Sequence, residues 1–579
     1  MSLFRTILKS VFNEILIVFL FIYLINNFLG NVEQRINSDA KGYYDYLPSI
    51  FIFHDFVRHN TTRELNPEKF KRIDKFGVYN DYGKQRVDQY TCGTAVLESP
   101  FFLAAWKLNE DVGEAGYGYN KPFQHCVFFA ALFYLFLALF FFKKLSQSYN
   151  IRRSTIIISQ LLLVFATGVT HYTNEDAGFS HVFSLFAITA FLYFVRIYFQ
   201  EKKYSSYLWA CALLGLIVLL RPVNGIIIFF VPFLAGSFRE FWKAIAYLFK
   251  KPVKAGSGFL IFLLICSIQC LAWYLQVGEF LVNSYTHTKF NFLKPEWVNV
   301  LFSYRKGLLI YAPVLSLGIL SLIWFAFKKR YTELFVWIGF FIILTYIISS
   351  WEIWYYGCSY GMRPYIDFYA LFFLPFALMF DSSKLVFKVV MVLAGFFFIY
   401  VNMIQTYQYQ NYIIKWMGME KQDYWNVFLK TDNRYKGVVW KEYPGFQYYK
   451  KNFSKNFGDF RISENRDSTI IDIHTRHDTV DIAKVSVVQL RFINDFNIDN
   501  DTKITMLIKD VESGNSVCFV QIYMLRFLEK GWNQLQEGLF NYKLGKNLEN
   551  KDYEIKVRVS AAISKADLQS VNISLYSKL

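Results

Sequence analysis

Up to residue 402 the chain is a succession of apolar runs, and no other feature limits its fold so much. About 20 apolar residues match the ~30 Å hydrocarbon core of a bilayer. Inside that core each backbone N–H and C=O must be bonded within the chain, so a run that enters it is a helix. Eleven candidate spans can be marked, over 11–30, 124–142, 154–170, 181–199, 206–220, 222–236, 257–276, 307–327, 332–349, 365–381 and 384–402. Composition agrees with this reading. The 579 residues are 54% hydrophobic and 20% aromatic, with 63 Phe and 41 Tyr, whereas soluble domains sit near 45–50% apolar. The first run has no A-x-A-like cleavage site and is read as a retained helix.

A net charge of +17 would fit a nucleic-acid binder if the charge were gathered on one domain. Instead, basic residues cluster at Arg5/Lys9, Lys143–Arg153, Lys202/Lys203, Arg239–Lys254, Lys328–Arg330 and Lys384. All six clusters fall on one side if the N-terminus is cytoplasmic, as the positive-inside rule requires. No nucleic-acid partner is expected. With an odd number of spans the tail lies outside. The seven cysteines are scattered, with no CxxC pair and no metal-ligand spacing, so neither a disulfide framework nor a zinc site is expected.

The outer loops, 31–123, 171–180, the 221 region, 277–306 and 350–364, have a different character. The first opens on SDAKGYYDYLP, with Asp39 and Asp45 directly after the first span. Carboxylates are poor interfacial anchors but can bind a metal or take a proton from a hydroxyl. The same loop carries Ser99–Leu108, apolar but too short to span, which fits an interfacial helix. The second holds Glu175, Asp176 and His181 in THYTNEDAGFSHVF. Cations stand at Arg221 in LLRPVNG, at Arg305 and Lys306 in FSYRKGLLIYAP, and at Arg363 in YYGCSYGMRPYID. Charges near a bilayer face a cavity or a partner, and Arg suits phosphate oxygens. Solvated loop tips for the acids, and snorkelling for the cations, are open alternatives.

After Asn402 the texture changes. Residues 403–467 form an aromatic and polar connecting segment. From 468 to 579 short alternating runs appear, among them STIIDIH, KVSVVQLRF, KITMLIKDV and YEIKVRVSA. Period-two alternation broken by Asn, Asp and Gly predicts a small extracytoplasmic β-sandwich-like domain.

Over about 1–420 these pieces resemble the GT-C superfamily of polyprenyl-phosphate-sugar-dependent membrane glycosyltransferases, which includes protein mannosyltransferases and aminoarabinose transferases. The resemblance rests on an acid just after the first span, a long first outer loop, an acid between spans three and four, and cations at later outer helix ends. WEIWYYGCSYGMRPYIDFYALFFLPFA looks like the WWYGGSFGQR-type segment of bacterial members. What the resemblance implies is a fold of about 11 transmembrane helices over 1–402. It implies a glycosyltransferase, hexosyl or pentosyl, that moves a sugar from a polyprenyl-phosphate donor to a protein, lipid or polysaccharide acceptor with inversion. Asp39 would be the base, and Glu175 or Asp176 would orient the acceptor or hold a metal. Arg221, Arg305, Lys306 and Arg363 would meet the lipid phosphate. Tyr43, Tyr355 and Tyr356 would stack on sugars, with Asp45 and His181 as further substrate-binding residues. The superfamily's adjacent acidic pair is here Ser38-Asp39, with Asp45 six residues later, which leaves a divalent metal ion open as a cofactor. The implied location is a bacterial cytoplasmic (inner) membrane, with an extracytoplasmic site among membrane lipids. Two other classes compete: a flippase or transporter for a lipid-linked glycan, and a membrane scaffold with a glycan-binding β-domain. A transporter favours charges at the bilayer midplane, and here they gather at helix ends.

Overall fold

The computed structural model describes residues 2–30, 32, 34–54, 56, 78–83, 85–111, 118–285, 288–416 and 418–432, and beyond them 449–457, 468–475, 485–497, 503–514, 516–523, 534–543, 553–560 and 568–578. The chain divides into two compact units, Met1–Thr406 and Tyr407–Leu579.

The first unit is helical, and it is a membrane protein by length and apolarity. Among the described residues six helical segments are long and apolar enough to cross a bilayer: Ser10–Leu29, Lys121–Gln147, His181–Glu201, Pro252–Val277, Tyr331–Ser349 and Leu385–Gln410. Four shorter apolar helices, Arg153–Phe165, Tyr204–Leu220, Leu315–Phe327 and Ala370–Ser382, coincide with further expected spans. The run expected over 222–236 is a 3-10 turn, Pro222–Phe230, and a short helix, Val231–Ala235. Together they meet the helix Phe238–Phe249 at 115°. Other runs are broken as well. The expected 154–170 span stops at Phe165 and resumes as Val169–Asn174. The expected 307–327 span is cut between Leu308–Tyr311 and Leu315–Phe327, where Pro313 removes a backbone donor. Ser99–Leu108 forms part of a helix, Gly93–Asp111, whose Phe102 is buried against Tyr44 and Phe123 while Leu108 is exposed.

Side-chain bonds tie the helix ends into two sets. At one end the Lys143 ammonium meets Glu14 at 2.5 Å, Arg153 reaches Asn13 at 3.0 Å, and Arg152 pairs with Asp381 at 3.0 Å. At the other, Gln124 accepts from the Arg35 and Ile36 N–H groups, His181 meets Asp367, and Asn402 donates to the Thr167 carbonyl. Gln124 and Lys143 stand at opposite ends of one 27-residue helix, about 30 Å apart at 1.5 Å per residue. The expected Lys143–Arg153 cluster therefore belongs to one end of the bundle, and His181, of the expected site residues, to the other. The His181–Glu201 helix is the central one, with 67% of its apolar window buried against 17% for Pro252–Val277.

In the second unit the described strands form two four-stranded antiparallel sheets. One places Leu568–Lys578 between Tyr449–Phe457 and Val485–Asn497, with Gln534–Lys543 outermost. The other runs Ser468–Thr475, Tyr553–Ser560, Lys503–Asp510, Ser516–Tyr523. Tyr449–Phe457 lies inside the expected connecting segment 403–467. Residues 433–448 and 458–467 of that segment, and 57–77 and 112–117 of the first outer loop, lie outside the described residues.

Candidate active site

The first helix ends in a π turn, Ile25–Leu29, with Gly30 at φ +87. Before Asp39 the chain passes Gln124. Gln124 holds it there, accepting from the Arg35 and Ile36 N–H groups at 2.7 and 2.8 Å. Ser38 has φ +47, a region that costs a non-glycine residue about 1–3 kcal/mol. That strained turn starts the helix Asp39–Phe51. Asp39 is its first residue, where unbonded N–H groups favour an anion. Arg363 Nη2 stands 2.7 Å from Asp39 Oδ2, and both side chains keep contact with solvent, at 13% and 19%. Arg363 leaves a loop in which Tyr356, Gly357 and Gly361 all take positive φ. The loop delivers Arg363 to the first position of a short 3-10 helix, Arg363–Phe368. Burial pulls the Arg363 pKa down, but the Asp39 carboxylate outweighs it and the net direction is up.

A second acid approaches from the turn after Val169–Asn174. His171 Nε2 lies 2.9 Å from Asp176 Oδ2, and its Nδ1 3.8 Å from Glu175 Oε2. Gly178 permits the approach. A Cβ there would stand 2.8 Å from the Ala40 Cβ, closer than carbon atoms pack. Arg35 lies behind, donating to the Asn174 carbonyl at 2.9 Å and covering the Phe128 ring at 4.3 Å. Burial lowers its pKa to about 10, with Glu175 acting in the opposite sense.

The remaining cations differ in what holds them. Lys306 is buried and donates to the Ser359 carbonyl, so it braces the loop that carries Arg363. Burial lowers its pKa to about 7, and it feels Cys358, Arg305, Arg363 and Asp176. The Arg305 guanidinium stacks on Tyr355, 3.4 Å from the ring centroid. Arg221 caps Tyr204–Leu220 and lies 3.5 Å from Asp367 Oδ2. Asp367 also accepts from Asn224 at 2.7 Å, and its other oxygen is 2.7 Å from His181 Nδ1. The same nitrogen is 3.1 Å from Arg221. It cannot donate to a carboxylate and accept from a guanidinium at once. The shorter, charge-assisted contact prevails, so Nδ1 carries its hydrogen toward Asp367. Arg221 and Arg363 are within electrostatic reach of one another and of Tyr43.

Asp39, Asp176, Lys306, Arg363, Arg221 and Tyr43 thus gather at one end of the helical unit. Other expected site residues are engaged elsewhere. Asp45 is buried and accepts from the Tyr79 and Tyr119 hydroxyls. Six residues on from Asp39, it is turned about 240° around the same helix and faces another way. His181 is buried against Asp367 and so lies behind Arg221. Tyr355 has Arg305 over its ring, and the Tyr356 hydroxyl donates to the Ile348 carbonyl. Glu175 is more buried than Asp176. Sequence reasoning missed Arg35, His171 and Asp367, and noted Asn224 as an outer-loop polar residue without giving it a role. His171 and Asn224 stand within the segments already singled out; Asp367 is separated from His181 by 186 residues, and only the fold joins them.

Among the described residues no three His, Cys, Asp or Glu side chains come together to hold a metal ion. Asp39 faces an arginine and Asp176 a histidine. No protein-family model matches the chain, and no curated protein matches it. The solved structure of the arabinosyltransferase EmbB from Mycobacterium smegmatis overlaps 77% of this chain at 8% identity and a TM-score of 0.26. The overlap spans 57% of that enzyme's own length. At that score it says nothing about activity.

Proposed function

We propose that the chain is a GT-C-type membrane glycosyltransferase that moves one sugar from a polyprenyl-phosphate donor to an acceptor hydroxyl, with inversion, on the outer face of the membrane. The observation that carries the reading is the partly exposed Asp39–Arg363 pair, with Asp176, Lys306 and Arg221 around it. In the resting site Arg363 neutralises Asp39. A donor phosphate competes for the guanidinium, since Arg pairs with phosphate oxygens in the same bidentate way. Phosphate binding then releases Asp39 next to the sugar. The carboxylate takes the acceptor proton as the hydroxyl oxygen bonds to the anomeric carbon. The bond from that carbon to the phosphate oxygen breaks, and its electrons leave with the polyprenyl phosphate. Arg363 and Arg221 offset the charge that develops there. Lys306 braces the 356–363 loop, and Asp176, held by His171, orients the acceptor.

Single-turnover transfer on purified protein saturated with polyprenyl-phosphate sugar tests this. Asp39→Asn keeps the shape of the carboxylate but cannot accept the proton. Its rate should fall by about 10²-fold or more, with donor binding retained. Asp45→Asn should lose thermal stability while the rate per folded molecule stays near wild type. Near-wild-type turnover in Asp39→Asn would remove the base and the mechanism with it.

A further inference from the structure

The bent segment between two apolar runs has a surface that the proposed transfer does not use. Phe238–Phe249 is a 12-residue helix opened by Ser237, whose hydroxyl accepts from the Glu240 N–H at 3.2 Å. Ser-x-x-Glu before an apolar run is a capping box, so the start of this helix is written locally. It leaves the preceding apolar segment at 115° and ends three residues before Pro252, where the next long apolar helix begins.

At 3.6 residues per turn its side chains sort into three stripes. Phe241, Ala244 and Leu248 face the protein, with Ala244 buried at 1%. Phe238, Trp242, Ile245 and Phe249 share an arc of about 60°, and their exposures of 49%, 63% and 80% at Phe238, Trp242 and Phe249 leave that arc uncovered. Arg239, Lys243 and Lys250 follow on the next arc, all exposed. On the next helix Val253, Phe259 and Leu260 are exposed as well. The one acid on this helix, Glu240, pairs with Lys243 at 2.6 Å between two exposed side chains. A pair of that kind contributes little and yields to a competing phosphate.

We infer that Phe238–Phe249 lies in the plane of the membrane at the basic end of the bundle and selects anionic phospholipid. The aromatic arc enters the acyl boundary, and Arg239, Lys243 and Lys250 meet headgroup phosphates just above it. With Pro222–Ala235 taken as the crossing segment, the 115° bend lays the helix along the surface. The selection follows from charge complementarity, since each surface Lys or Arg favours an anionic leaflet.

Native mass spectrometry of the purified full chain, presented with equimolar phosphatidylglycerol and phosphatidylcholine, reads this directly. Wild type should retain phosphatidylglycerol preferentially. Arg239→Gln/Lys243→Gln/Lys250→Gln should lower that preference about tenfold or more. Phe238→Ser/Trp242→Ser/Phe249→Ser should lower retention of both lipids. Lys328→Gln/Lys329→Gln/Lys384→Gln, with the same charge change on other loops, should leave the preference intact. All four chains should melt alike, because the altered side chains are exposed. An unchanged preference in the first variant, or an equal loss in the Lys328 variant, would overturn the inference and leave the aromatic arc to a protein partner.

Discussion

Lys306 shows how one side chain can brace a site and report on its charge. Its ammonium is buried and bonded to the Ser359 carbonyl, and burial brings its pKa from an ordinary 10.5 to about 7. Between those values the unfolded chain binds a proton that the folded chain has released. Stability from this group therefore rises with pH over that window, and below about pH 7 the folded state carries the full cost of a buried charge. Lys306→Met removes the titration. The difference in melting temperature between variant and wild type should change steadily from pH 7 to pH 10, moving in favour of wild type as pH rises. Parallel curves would show that Lys306 does not titrate in this window. The same residue illustrates a limit of the sequence. RKG next to a helix start suggests two equivalent cations, yet Arg305 stacks on Tyr355 and Lys306 turns inward to a carbonyl. Nothing in the local pattern separates those fates, because the loop that decides them lies some fifty residues downstream.

Between elements, the close approach of the Asp39–Phe51 helix to the turn after Asn174 sets the distance from Asp39 to Asp176. Gly178 is the contact point, and a Cβ there would meet Ala40 Cβ at 2.8 Å and Val127 Cγ1 at 3.3 Å. Neither can swing away as a long side chain does. Gly178→Ala should cost about 1–3 kcal/mol by overpacking and move Asp39 by a few tenths of an ångström. Under the proposed mechanism transfer then slows roughly tenfold while donor binding holds, since a small misplacement is felt in the reacting geometry. Adding Ala40→Gly deletes the opposing carbon and should recover part of the rate. A double variant as slow as the single one would place the fault elsewhere. The apolar runs themselves were legible, because hydrocarbon length and composition are properties of a window. Their breaks were not. Thr167–Gly168 and Pro313 interrupt runs that read as continuous, and the run over 222–236 is a 3-10 stretch for most of its length. A hydropathy window averages over a single Gly or Pro. Two strands of the second unit, Tyr449–Phe457 and Gln534–Lys543, were also missed, since sequences such as YKKNFSKNF carry too few apolar residues to show alternation.

At the scale of the molecule, the two ends of the helical unit differ in chemistry, and the proposed orientation rests on that difference. Lys143, Arg152, Arg153, Lys388 and Arg330 are held near one set of helix ends by Glu14, Asn13, Asp381 and Glu333. Asp39, Asp176, Arg363 and Lys306 gather at the other. The positive-inside bias keeps basic loops in the cytoplasm, so the expected outcome is a site end that faces outward, as the proposed donor chemistry requires. Two single cysteines decide it, Lys294→Cys at the site end and Lys384→Cys at the basic end. Both positions are exposed, and the background carries Cys358→Ser and Cys518→Ser, because Cys358 is exposed in the site loop. On intact cells a membrane-impermeant maleimide should label residue 294 and spare residue 384. After the membrane is opened, both should react. The reverse pattern would turn the site toward the cytoplasm, where the acceptor and donor proposed for it are not on that face, and the transfer reaction would have to be abandoned even if Asp39 proved essential.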